Sequence, residues 1–234
     1  MLVPDEPEHD RTSHRWRGFD YAAPCSYFVT VCVDDRRCLF GRVVAGSTIA
    51  QGGILSTREV DEGRAAVVEL STLGRVVDEC WRAIPVHFPA ITIPSHVVMP
   101  NHVHGIIRIT PTPEWTAKVR QLRKEDSIAR GTRRGDIYVA PTPAPTSARG
   151  PAPKSLGVIV GTFKAAVTRK ARQLGLISGA LWQRDFHDRV LRDDDEYTFA
   201  ARYMHLNPVR WALDRYNPER VGPDEFDAWL DAPS

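Results

Sequence analysis

Residues 91–109 predict a β-hairpin, which restricts the fold of this chain more than any other segment. Residues of high β-propensity lie on both sides of the turn-forming pair Pro100 and Asn101. His102 and His104 follow the turn directly. Because side chains alternate between the faces of a strand, these two imidazoles should point to the same side of the sheet. One rigid strand would then offer two neutral nitrogen ligands for a metal ion.

The same spacing has a second interpretation, because two histidines on a hairpin also occur as partly exposed polar residues without a metal. The choice between the two depends on residues elsewhere in the chain.

The order of the predicted elements indicates an α+β fold. Strands are predicted at 27–33 and 182–192, and a weaker extended stretch at 42–50 has Gly46 at a position suited to a turn. Apolar residues at helical spacing predict helices from Ser71 to Pro85, over 156–172 and from Asp193 to Asn207. The order strand, helix, strand, strand, helix, strand, helix is that of a split β-α-β sheet with helices on one face.

Composition predicts a single domain with an insertion. We expect a polar N-terminal arm at 1–24, one domain formed by 25–109 and 154–215, a proline-rich basic insertion at 110–153 and a C-terminal tail at 216–234. No apolar run approaches the ~20 residues that span a bilayer, and the first residues are acidic. We therefore expect a cytoplasmic protein without a membrane partner. Four cysteines without a C-x-x-C pair favour reduced thiols.

The formal net charge of +2 hides an excess of basic residues in the second half of the chain. Many of these lie in the insertion and around the predicted helix at 156–172. Such a distribution is typical of a phosphate-binding surface, but also of a solvated helix face next to a charged loop.

Tyr203 and Asn207 are four residues apart on the last predicted helix and therefore share a face. If that face meets the histidine pair, the site gains a phenol and an amide oxygen. A phenol beside a cation can act as a nucleophile. The alternatives are a core tyrosine and a helix cap, and His187, Tyr197 and His205 compete for the same roles.

Three segments in this order resemble the single-tyrosine HUH transposases, above all the branch of REP-associated tyrosine transposases. They are Met-Pro-Asn-His-Val-His-Gly at 99–105, the segment 182–192 that begins Trp-Gln-Arg-Asp-Phe-His, and Tyr-Met-His-Leu-Asn-Pro at 203–208. The similarity extends to 21–41 and 156–164 and covers most of residues 20–215. Two features depart from the family pattern: Cys25 stands near a position where glycine is expected, and the insertion at 110–153 is longer than a minimal family member needs.

The resemblance implies a ferredoxin-like catalytic domain that binds single-stranded DNA, often as a hairpin, and cleaves it with a divalent metal. By position, His102, His104 and Asn207 match the metal ligands and Tyr203 matches the nucleophile. The tyrosine of such enzymes forms a 5′-phosphotyrosine and frees a 3′-hydroxyl, and the reverse attack rejoins strands. The activity implied is that of a DNA transposase, a single-strand endonuclease and ligase.

The resemblance also implies a homodimer, with Mg²⁺ or Mn²⁺ as the metal. Because two imidazoles are softer ligands than magnesium usually prefers, manganese remains open. The candidate DNA-binding residues are Lys164, Arg169, Lys170 and Arg189. Two other hypotheses use the same residues: a catalytically silent protein that binds hairpin DNA, and a metal-dependent hydrolase that activates water without a protein-linked intermediate.

Overall fold

The computed structural model describes residues 21, 23–45, 66–117, 119–121 and 155–232. The strands of this part are β1 (Ser26–Cys32), β2 (Gly41–Ala45), β3 (Ala66–Leu70), β4 (Ile91–Val98), β5 (His102–Ile109) and β6 (His187–Leu191). Its principal helices are α1 (Thr72–Arg82), α2 (Ile84–His87), α3 (Leu156–Gln173), α4 (Asp194–Leu206) and α5 (Asp227–Asp231). The predicted turn at Gly46, nearly all of the N-terminal arm and most of the insertion lie outside the described residues.

Four strands form one antiparallel sheet in the order β4-β5-β1-β6. Helix α1 lies between the first and second of these strands along the chain, and α3 lies between the third and fourth. This is the ferredoxin-like α+β arrangement that the order of elements predicts. The hairpin at 91–109 is confirmed, with an irregular register between Thr92 and Ser95 on either side of Pro94.

Helices α1 and α3 cover one face of the sheet, which we call the helix-pair face. Helix α1 begins where the Ser71 hydroxyl accepts a hydrogen bond from the Gly74 amide at 3.0 Å. Buried residues then recur at helical spacing on both helices and pack on the strands. They are Leu73, Val76, Val77 and Trp81 of α1 and Ile159, Val160, Phe163 and Val167 of α3.

Helix α4 covers the opposite face, which we call the site face. Its start is the predicted cap, because the Asp193 carboxylate accepts a hydrogen bond from the Glu196 amide at 2.8 Å. Buried side chains of α4 pack on the strand residues of this face. The two crossover helices therefore share one face, as the sequence predicts, while the last helix lies on the other.

Of the predicted stretch 42–50, the described residues 42–45 lie in β2, which pairs with β3 over residues 66–70. Helix α1 ends at Arg82, before Pro85, as the sequence predicts. Pro85 itself lies in the first turn of the short helix α2, where the missing amide hydrogen costs nothing. Among the described residues, no helix combines the length and apolar character needed to cross a membrane.

Candidate metal and tyrosine site

Strand β5 places the two histidines on the site face, where both are fully buried. Each ring is held at its Nδ1 atom. His102 Nδ1 lies 2.8 Å from Asn101 Oδ1, and His104 Nδ1 lies 2.8 Å from the hydroxyl of Thr30 on the neighbouring strand β1. The Nε2 atoms are therefore left to face the residues that cover the sheet.

Helix α4 brings Tyr203 and Asn207 to the histidines of the same chain. The Tyr203 hydroxyl lies 3.2 Å from His104 Nε2 and 3.4 Å from an oxygen of Asp214. Asn207, at the end of the helix, donates from its side-chain amide to the same Asp214 oxygen. The four residues that the sequence pattern singles out thus meet in one buried cluster.

Asp214 is the site residue that the sequence analysis missed. It is 2% exposed, and its Oδ1 accepts a hydrogen bond from the Tyr216 amide at 2.7 Å. Its Oδ2 lies 3.9 Å from His102 Nε2. Ligand atoms of His102, His104 and Asp214 all lie within 4.8 Å of one another, so these three residues could hold a metal ion. No periodic pattern marks Asp214, which follows a short 3₁₀ turn after α4.

The state of these donors fits a divalent cation. Burial lowers the pKa of His102 to about 4 and that of His104 well below its usual value, so both imidazoles are neutral at neutral pH. His102 Nε2 and Asn207 Oδ1 are buried and have no hydrogen-bond partner within the described part of the chain. Leaving buried polar atoms unpaired is costly, and a cation bound to the cluster would pair them.

Tyr203 is held as a protonated phenol in this arrangement. Burial, and secondarily the nearby Asp214 carboxylate, raise the pKa of Tyr203 well above its usual value. The side chain is 3% exposed, and Phe28, Phe226 and Trp229 pack around its ring. A substrate atom can therefore reach the hydroxyl only after a local movement of the residues that cover it.

Three of the predicted DNA-binding residues lie on α3, away from this cluster, whereas Arg189 lies on the site face with its guanidinium 5.0 Å from the centroid of the Trp229 ring. Lys164 and Lys170 belong to α3 on the helix-pair face; Lys164 Nζ contacts the carbonyl oxygens of residues 183, 184 and 185 at 2.5, 3.1 and 3.3 Å. Lys170 pairs with Glu79 at 2.6 Å. Arg189 donates to the carbonyl oxygens of residues 229 and 232. Arg169 is exposed. The ammonium group of Lys164 is thus occupied by backbone carbonyls, and the two Nη atoms of Arg189 are occupied by two backbone carbonyls and the Glu196 carboxylate.

The three competing residues take other positions. His205 is exposed and lines a groove of about 440 Å³ at the outer edge of β4. The Tyr197 ring lies under the guanidinium of Arg108, at 5.2 Å from its centroid. His187 is exposed, with its ring 6.1 Å from that of Tyr216. Tyr203 is therefore the tyrosine of α4 that contacts the histidine pair.

Comparison with known proteins gives three findings. No family model matches the chain. An uncharacterized protein of Haemophilus influenzae is 29% identical over 208 residues, a match that covers 88% of this chain and 93% of that protein. A solved structure of a REP-associated tyrosine transposase bound to a REP hairpin is similar with a TM-score of 0.45 and 13% identity, covering 86% of this chain and 74% of that one.

Proposed function

We propose that this protein is a metal-dependent tyrosine transposase that cleaves and rejoins single-stranded DNA, with Tyr203 as the nucleophile. The observation that carries the proposal is the 3.2 Å distance between the Tyr203 hydroxyl and His104 Nε2. These residues are 99 positions apart in the sequence. A phenol and two neutral imidazoles thus meet beside a carboxylate, which is the arrangement that a metal-assisted attack by tyrosine requires.

In the proposed reaction, the Tyr203 oxygen attacks the phosphorus of a DNA phosphodiester. The new bond joins phosphorus to the tyrosine oxygen, and the bond between phosphorus and the 3′ oxygen breaks. The products are a 5′-phosphotyrosine and a free 3′-hydroxyl, and attack of a 3′-hydroxyl on the phosphotyrosine reverses the step. The phenol proton can pass to the Asp214 carboxylate, whose Oδ2 lies 3.4 Å from the Tyr203 hydroxyl, because His104 Nε2 would be occupied by the cation.

His102, His104 and Asp214 would hold the divalent cation, Mg²⁺ or Mn²⁺. When bound, it supplies positive charge that favours the phenolate and polarises the phosphate. Asn207 has two roles open to it: its Oδ1 is an unpaired buried acceptor suited to a cation, and its Nδ2 holds Asp214 in place. Because one chain contains every residue of the cluster, the proposed chemistry does not need a second copy. A homodimer stays a prediction.

The test is the formation of a covalent protein–DNA adduct. Single-stranded oligonucleotides with hairpins and a 3′ label are incubated with the protein and Mn²⁺, and adducts are resolved on a denaturing gel. The 3′ label is needed because a 5′-phosphotyrosine retains the downstream strand. We expect the wild type to become labelled and Tyr203→Phe to lose all labelling while still binding the DNA.

Tyr197→Phe is the matched control, since Tyr197 lies on the same helix but packs under Arg108. It should retain the adduct. An adduct formed by Tyr203→Phe would exclude this residue as the nucleophile. Cleavage without an adduct would favour the hydrolase, and hairpin binding with no cleavage across a wide pool of hairpins would favour the silent DNA-binding protein.

A further inference from the structure

Asn101 joins three separate segments of the chain around His102. It is 1% exposed and lies in the tight turn between β4 and β5, where the Met99 amide donates to the His102 carbonyl at 2.8 Å. Its side-chain Nδ2 donates to the Arg36 carbonyl at 2.9 Å and to the Tyr216 carbonyl at 2.8 Å. A buried side chain with this many partners has one fixed orientation.

That orientation determines which nitrogen of His102 carries its proton. Carbonyl oxygens only accept hydrogen bonds, so the two carbonyls must face the NH₂ group of Asn101. Asn101 Oδ1 therefore faces His102 Nδ1 at 2.8 Å. Since an amide oxygen also only accepts, Nδ1 must donate, and the lone pair of the neutral ring is left on Nε2. That is the atom nearest to Asp214.

The same amide also anchors the loop that carries Asp214. Tyr216, whose carbonyl accepts from Asn101, donates its own amide hydrogen to Asp214 Oδ1 at 2.7 Å. On the other side, the Arg36 carbonyl belongs to a short turn in which Arg36 has a φ of +52°, a left-handed conformation that non-glycine residues rarely adopt. One side chain thus connects this turn, the histidine strand and the loop with the carboxylate.

We propose that Asn101 is a positioning residue of the metal site: it holds His102 in the Nδ1–H tautomer and holds the 214–216 loop beside it before any metal binds. The inference rests on the proposed function only in treating His102 and Asp214 as metal ligands. If Asn101 were purely structural, it would bind the backbone carbonyls around its turn but would not determine which nitrogen of His102 carries the proton.

The tautomer can be measured in the metal-free protein by long-range ¹H–¹⁵N correlation NMR of ¹⁵N-histidine-labelled samples in chelator at neutral pH. The His102 signals are assigned by their loss in His102→Gln. We expect the wild type to show Nδ1–H with an unprotonated Nε2. In Asn101→Leu, which removes the acceptor, the Nε2–H form should appear. In Asn101→Asp, which keeps an oxygen facing Nδ1 but loses the NH₂ group that donates to the Arg36 and Tyr216 carbonyls, the Nδ1–H form should remain while Mn²⁺ binding weakens.

Asn217→Leu is the matched control, because Asn217 also bridges two backbone groups, the Trp211 carbonyl and the Glu219 amide, without contacting a histidine. It should leave the His102 signals unchanged. Titration with Mn²⁺ alone, followed by calorimetry, should give 10- to 100-fold weaker binding for Asn101→Leu, the usual effect of losing a partner that orients a ligand.

The inference is overturned if wild-type His102 is the Nε2–H tautomer, or if folded Asn101→Leu keeps both the Nδ1–H form and wild-type Mn²⁺ affinity. If Asn101→Leu does not fold, Asn101→Ala, which removes the amide without adding volume, decides: appearance of the Nε2–H form supports the inference, and retention of Nδ1–H with wild-type Mn²⁺ affinity overturns it. The NMR measurement uses no DNA and no metal. Failure of the adduct experiment would therefore leave this result standing, and the reverse also holds.

Discussion

The two faces of the central sheet are built from alternate residues of the same strands, but on the site face buried polar residues accompany apolar ones such as Phe28 and Ile106. On β5, Val103 and Ile107 point into the apolar core below α1 and α3. His102 and His104 point to the site face, where Asn207 and Asp214 are also buried. Apolar burial stabilises the fold by about 1.5–3 kcal/mol for each large side chain, whereas buried polar groups cost free energy unless they are paired.

This contrast implies that the two faces contribute different properties to the protein. Apolar packing on the helix-pair face stabilises the sheet and holds its strands in register. The site face keeps buried polar atoms that have no hydrogen-bond partner close together. Substitutions on the helix-pair face should therefore change the free energy of unfolding, and those on the site face should change metal binding and chemistry.

The largest effect is expected at Gly105, which sits between His104 and Ile106 but faces α1. A Cβ atom there would lie 2.2 Å from Cζ2 of Trp81, a fully buried ring that also packs edge-on against Phe163. Because the indole has no room to move, Gly105→Ala should lower the free energy of unfolding by about 3 kcal/mol, measured by urea denaturation.

Gly161→Ala is the control for this prediction. Gly161 is an exposed residue of α3, and an added Cβ there meets no atom within 4 Å. The substitution should raise the free energy of unfolding by about 0.5–1 kcal/mol, since alanine favours a helix. If Gly105→Ala kept its stability but lost Mn²⁺ binding, the two faces would not be separable.

The features that the sequence could predict are those that depend on local patterns. The hairpin, the capped starts of α1 and α4 and the order of elements could be predicted because they depend on local periodicity and on single capping residues such as Ser71 and Asp193. The histidine pair and Tyr203 could be proposed together because strand and helix periods place them on defined faces and because their motifs resemble a known family.

The remainder of the site depends on contacts that leave no periodic trace. Asp214 and Tyr216 lie in an irregular loop after α4, and only the folded chain brings that loop over His102. Composition predicts a domain that ends at residue 215 and a tail at 216–234, yet Tyr216 and Phe226 are 7% and 1% exposed. For Lys164 the sequence predicts a role in DNA binding from the charge alone. A count of charges cannot show that three backbone carbonyls surround its ammonium group.

The buried histidines of the site face should make the stability of the metal-free protein sensitive to acid. The pKa of His102 is about 4 in the folded chain, against 6.5 for an ordinary histidine. Between these values the unfolded chain binds more protons than the folded chain, so stability is fully present above pH 6.5 and is lost as the pH falls toward 4. We expect a loss of up to about 3 kcal/mol from this residue, with His104 acting in the same direction.

Urea denaturation at pH 7.5 and at pH 4.5, in the presence of chelator, measures this loss. His102→Gln should reduce the difference between the free energies of unfolding at the two pH values, because glutamine does not titrate. His205→Gln is the control, since His205 is exposed and its removal should leave the difference unchanged. Equal pH dependence in His102→Gln and the wild type would contradict the assignment of the acid sensitivity to the site face.

The smallest expected effect, at Lys164, tests whether the helix-pair face takes part in DNA binding. Burial lowers the pKa of Lys164, and the backbone carbonyls that its ammonium group contacts join α3 to the loop before β6. Lys164→Met should therefore cost about 1–2 kcal/mol of unfolding free energy, the range for a hydrogen bond to a charged group at a partly exposed position. Its affinity for a hairpin oligonucleotide should stay within about twofold of the wild type, because the charge is already used inside the protein.

Arg169→Met supplies the comparison on the same helix, with an exposed side chain. If α3 contacts the phosphate backbone, this variant should bind hairpin DNA more weakly, and the slope of log K against log salt concentration should become shallower by about one. Its free energy of unfolding should not change. Fluorescence anisotropy at several salt concentrations measures the affinity and the slope. A loss of DNA affinity in Lys164→Met at unchanged stability would show that the ammonium group leaves its carbonyls to meet DNA, and that the helix-pair face is more than a scaffold.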